Sequence, residues 1–161
     1  MKKRSFKTPA PESLDDLVRE YDRAARDAAW QWRNVAFDHS RQTIEMLEEM
    51  LGELYDELHK PSLKRRFGLG HGEVDIEQWA NLWGIYIGEA LRIELGGEWI
   101  MGHEEAPNLL AVQFPDGTVT FPTAKVFKRL SDGAVQNVAI YYDMIVREVN
   151  EDGIRDRDQA S

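Results

Sequence analysis

Glu89 and Glu98 are the carboxylates whose placement most invites chemistry. Glu89 follows Gly88 in an apolar helical stretch, and Glu98 precedes Trp99 just beyond the Gly96-Gly97 pair. If the chain reverses at those glycines, the two carboxyls approach each other beside an indole and line a pocket for a small molecule. The competing role is an ion pair from one of them to Lys125 or Lys128, and the sequence favours that structural use.

Other candidates are weaker. Asp15-Asp16, Glu48-Glu49 and Asp56-Glu57 are paired acids on helical stretches, where charge is normally a solvated face. His103-Glu104-Glu105 and the His71, Glu73, Asp75 group contain metal-ligating types. Neither has a second cluster at zinc-like spacing, so no metal is expected. The GLGHG segment lacks both the dinucleotide fingerprint spacing and the Lys-Ser or Lys-Thr of a phosphate loop. There is no cysteine, no GxSxG and no HExxH, so no cofactor is expected and the reading leans away from an enzyme.

Charge points instead to a partner. Residues 12 to 58 hold 13 Asp or Glu against 5 Arg, so this one region carries −8 of the chain's net −9. Glu45, Glu49 and Glu53 recur every four residues, a like-charge spacing that mildly opposes helix formation. With Glu48 they form an acidic stripe suited to a basic protein. Trp30 and Trp32, two apart, cannot share one helix side, which leaves one of them, Trp30 in the first instance, for an interface. A net negative chain is a poor nonspecific nucleic-acid binder, because that binding neutralises phosphates with Lys and Arg.

These residues need elements to position them. Asp75 and Gln78 read as a capping box opening a central helix, with Trp79, Trp83, Tyr86, Ile87, Ala90, Leu91 and Leu95 on one wide face. Gly84 and Gly88, four apart, mark a side where another backbone approaches closely. Gly96-Gly97 ends the helix. Before it, apolar spacing from Leu14 to Ala36 and again from Thr43 to Leu58 predicts two helices with a break near 38–40, capped by Asp38 or Ser40; one long helix remains the alternative. After it, Glu98–Met101 and Leu109–Phe114 read as strands separated by a turn-like GHEEAPN. Pro115-Asp116-Gly117 turns the chain into a third strand, 118–121. Pro122 opens a short basic helix over 123–130, Ser131-Asp132-Gly133 turns, and a last helix starts near Val135.

The bulk numbers agree with one domain. The chain has 161 residues, 42% hydrophobic and 30% charged, which suffices for a real core. No stretch approaches the ~20 apolar residues of a membrane span. The basic start, residues 1–11, reads as a flexible arm and lacks a signal peptide's apolar run, and 151–161 reads as a polar, fraying tail. A cytoplasmic protein is expected.

LWGIYIGEALRIELGGEW, a short β segment and VTFPTAKVFKRLSDGAVQNVAIYY together resemble a group of small bacterial proteins of unknown function. The shared features are Gly88-Glu89 on a central helix, Trp99 soon after it, Phe121-Pro122 opening a basic helix with Lys128-Arg129, and Asp132-Gly133 behind. The resemblance spans about 75 to 145. It implies the fold and, for some members, an immunity-type or toxin-accessory role.

The sequence therefore predicts a single α+β domain spanning 12–150: a helical N-terminal half and a central helix on a small antiparallel sheet of about three strands, closed by two C-terminal helices. The leading function is a noncatalytic interaction protein with a basic protein partner. A small-molecule binder or enzyme using Glu89, Glu98 and Trp99, or a homodimer joined through the N-terminal helices, stands as the alternative.

Overall fold

The central helix, α3, spans Gly72–Leu95 and carries the largest share of the core, with Trp83, Ile85, Tyr86, Ile87, Ala90 and Leu91 fully buried. Burial at 85, 86 and 87 in succession means that the helix is enclosed on several sides, more than a single amphipathic face would require. The computed structural model describes residues 13–60 and 72–160. The basic arm, the Lys64-Arg65-Arg66 cluster and His71 lie outside them. The helix starts at Gly72, so Asp75 sits inside the first turn instead of capping it.

Five helices and one sheet make up the described residues. α1 (Leu14–Arg33) and α2 (Arg41–His59) precede α3. β1 (Glu98–His103), β2 (Ala106–Gln113) and β3 (Val119–Thr120) follow it, then α4 (Pro122–Asp132), a 3-10 turn and α5 (Val138–Gln159). The strands are antiparallel in the order β1-β2-β3, with Trp99 opposite Val112 and Val112 opposite Thr120. The α+β architecture is as expected, with the N-terminal helical half and two C-terminal helices around a three-stranded sheet.

α1 and α2 are separate helices. Neither glycine nor proline stops α1; Asn34 does, at φ 55, with its backbone N–H donating to the Trp30 carbonyl. Asparagine tolerates the left-handed conformation better than most side chains. Ser40 caps α2 by accepting from the Thr43 N–H, and Asp38 accepts from the Ser40 N–H at 3.0 Å. The inner faces of both helices, Val18, Ala25 and Ala29 on α1 and Ile44, Leu47 and Leu51 on α2, are part of one core. These apolar faces pack within the chain.

Of the two glycines on α3, Gly84 meets the close backbone approach its spacing predicts and Gly88 does not. A Cβ at Gly84 would lie 2.5 Å from the Thr123 Cα, so only glycine lets α3 and α4 approach there. A Cβ at Gly88 would lie 2.2 Å from the Trp99 ring, so this second glycine makes room for an aromatic side chain and not for backbone. Gly96 and Gly97, at φ 74 and 131, reverse the chain into β1. The first hairpin is longer than expected: only Glu104-Glu105 turn, and the Pro107-Asn108 stretch belongs to β2. Leu110, Ala111 and Val112 are buried in succession, so the middle of β2 is covered on both faces. At the other end α5 runs through Gln159, so the residues expected to fray are helical, although mostly exposed.

Candidate functional site

The glycine reversal brings Glu89, Glu98 and Trp99 to one cleft of about 320 Å³, completed by Asp15, Val18, Arg19 and Asp22 from α1 and by Arg92 from α3. The grouping read from sequence is therefore real, but the roles differ. Glu89 accepts from Arg92 Nε at 2.7 Å and Nη2 at 3.1 Å, and from Trp99 Nε1 at 2.7 Å. Burial pushes its carboxyl up, but the Arg92 and Trp99 hydrogen bonds outweigh that and hold it below the ordinary carboxylate value. Such a group stays ionised and is fully engaged, which suits positioning and not proton transfer. The expected pair to Lys125 or Lys128 does not form. Lys125 donates to Gln136 Oε1 at 2.8 Å and lies over the Tyr141 ring, because α4 turns it away from the cleft. Glu98 is exposed and has no hydrogen-bond or ion-pair partner among the described residues.

A buried polar cluster beside this cleft escaped the sequence reading. Asp22, 7% exposed, forms an ion pair with Arg26, Nε to Oδ2 at 3.1 Å, and meets His39 Nε2 at 2.7 Å. The His39 ring stacks on Tyr86 with centroids 5.0 Å apart, and its backbone N–H donates to the Tyr86 hydroxyl. That hydroxyl also bonds Thr43 Oγ1 at 2.7 Å, and burial pushes its pKa up to about 12. His39 holds φ 65, a conformation costing a non-glycine residue roughly 1–2 kcal/mol. Four segments (α1, the loop before α2, α2 and α3) meet at these contacts, which offset that cost. The ring is held at one edge by Asp22 and on its face by Tyr86, so the contacts fix its position. No local pattern links positions 22 and 39, so only folding reveals them.

The acidic residues of α2 divide. Glu48 turns inward, bonding the buried Arg129 Nε at 2.8 Å and accepting from the Val138 N–H at 2.9 Å. It is a fastener between α2, α4 and α5 and no part of a surface stripe. Glu53 reaches Arg33 at the end of α1, and Glu45 lies 3.7 Å from Arg41. Glu49, Asp56 and Glu57 are exposed without partners among the described residues. Trp30 and Trp32 are both exposed, at 55% and 38%, where one had been expected. Since Arg33 follows Trp30 by three residues, its bridge to Glu53 sets the tryptophan end of α1 against the acidic side of α2.

Among the described residues no three His, Asp or Glu side chains converge as a metal site, and no helix is long and apolar enough to cross a membrane. Comparison with protein-family models, curated proteins and solved structures yields no match.

Proposed function

We propose that this is a noncatalytic interaction protein that docks a basic protein partner on the face made by the C-terminal end of α1 and the outer side of α2. The observation that carries it is the Arg33–Glu53 bridge, which ties the end of α1, where Trp30 is exposed one turn before Arg33, to a helix whose Glu49, Asp56 and Glu57 side chains are exposed and without partners among the described residues. Exposed indoles supply the desolvated anchor that such interfaces use, and a one-sign rim speeds encounter and rejects wrong partners. Glu45 and Glu53 belong to the same side of α2 and extend the stripe at four-residue spacing. Glu48 does not belong to it. The resemblance to small bacterial proteins extends the reading to an immunity-type role in the cytoplasm, with the partner a basic toxin surface. The test is capture of partners on immobilised protein with stepwise salt elution. The reading expects a stoichiometric basic protein released at moderate salt and lost from a Glu49→Lys/Asp56→Lys variant; capture unchanged by that variant refutes it.

A further inference from the structure

The geometry points to a second site, a binding place for a free α-amino acid in the cleft between α1, α3 and β1. It does not depend on the docking face of α2, and either can fail alone. Six charged side chains line the cleft, and both signs are present: Asp15, Asp22, Glu89 and Glu98 against Arg19 and Arg92. Their partners decide which of them is available. Asp22 is engaged by Arg26 and His39, and Glu89 by Arg92 and Trp99. Asp15 and Glu98 enter from opposite elements, both exposed and without hydrogen-bond or ion-pair partners among the described residues. They suit an ammonium group.

Arg92 is the counterpart for a carboxylate. Glu89 takes two of its five N–H donors and thereby fixes the guanidinium plane, leaving three donors on a side chain that is 37% exposed and lines the cleft. An arginine held by a half-buried acid is prepared to bind a second carboxylate with little further ordering. A purely anionic ligand would meet four carboxylates, and a purely cationic one would leave those donors unused. A ligand carrying both charges on one carbon satisfies both. The apolar wall is small, since Val18 and Trp99 are 4% and 8% exposed, and the volume of about 320 Å³ lies at the low end for ligand pockets. Both features favour a short side chain. Trp99 and Glu89 act as positioning residues, since neither offers a free donor or acceptor edge comparable to Arg92.

Titration calorimetry on the full chain with glycine, alanine and serine, alongside their methyl esters and N-acetyl derivatives, tests this. Saturable binding of at least one parent amino acid is expected, weakened by about tenfold or more by either chemical edit and by the Asp15→Asn/Glu98→Gln double variant. Both substitutions fall on exposed side chains without a hydrogen-bond or ion-pair partner among the described residues, although the Asp15 charge also acts on Arg92, and an unchanged melting temperature confirms the fold. The proposal is overturned if no parent compound saturates by about 10 mM. It is equally overturned if esters bind as well as the acids, or if the double variant binds like wild type.

Discussion

Two carboxylates one residue apart on α2 have opposite fates. Glu48 is held between the buried Arg129 guanidinium and the first N–H of α5, whereas Glu49 faces water without a partner among the described residues. A helix of 3.6 residues per turn separates neighbours by about 100°, enough to place one acid in the core junction and the next on a surface. The same division runs through the molecule. On the side of α3, α4 and the sheet, glycines and buried pairs lock elements together. On the side of α1 and α2, indoles and carboxylates remain unsatisfied by the chain itself. The first side explains stability, and the second is the face that the proposed docking uses.

Substitutions of the locked side carry the largest effects. Gly84→Val places a branched side chain where a Cβ alone would lie 2.5 Å from the Thr123 backbone. A loss of about 3 kcal/mol or more, or failure to fold, is expected in urea denaturation. Arg129→Met leaves the half-buried Glu48 carboxylate beside an apolar group and should cost about 2 kcal/mol or more. Glu48→Leu combined with Arg129→Met should cost less than the sum of the two single changes, since the penalty is that of an unpaired charge; strict additivity would show that the two groups are not coupled.

A smaller effect should appear with pH. Glu89 has its pKa below the ordinary 4.5, so its contribution is complete above that value and is lost as the pH falls through the lower, folded value. Asp143, lowered by its hydrogen bonds to Arg41, acts in the same direction. Melting temperature should therefore fall as the solution is acidified below about pH 4.5, and Glu89→Gln should flatten part of that slope. An acid profile identical in the variant would show that Glu89 does not contribute to it. At the bottom of the scale, Glu49→Lys and Asp56→Lys, on the unpartnered side of α2, should change stability by no more than about 0.5 kcal/mol in the same denaturation assay.

Much of the locked side was readable before folding. Gly96-Gly97, Pro115-Asp116-Gly117 and Pro122 each set the backbone locally, the glycines by allowing positive φ and the prolines by fixing φ, and they mark the end of α3, the second hairpin and the start of α4. The four-residue spacing of Gly84 and Gly88 announced a close approach, and the glycine reversal made Glu89, Glu98 and Trp99 neighbours. What escaped depends on tertiary distance. Asn34 ends α1 without the usual breakers. Glu48 looks like any member of an acidic run, and its inward turn depends on where Arg129, 81 residues later, is packed. Asp22 and His39 meet only because α1 and the following loop close over Tyr86. Helical periodicity identified a buried face but could not say which polar residues at its margin would find partners.

The docking face is the central claim, and Trp30 tests it most directly because it can be removed without touching the core. The measurement is the affinity of the captured basic partner for wild type and for Trp30→Ala, each also carrying or lacking Glu49→Lys/Asp56→Lys, at two salt concentrations. The account predicts that Trp30→Ala weakens binding by about tenfold or more at both salts, as loss of a hot-spot indole does. The charge reversals should weaken it mainly at low salt. Unchanged affinity in Trp30→Ala, with the fold intact, would place the interface elsewhere and contradict the account.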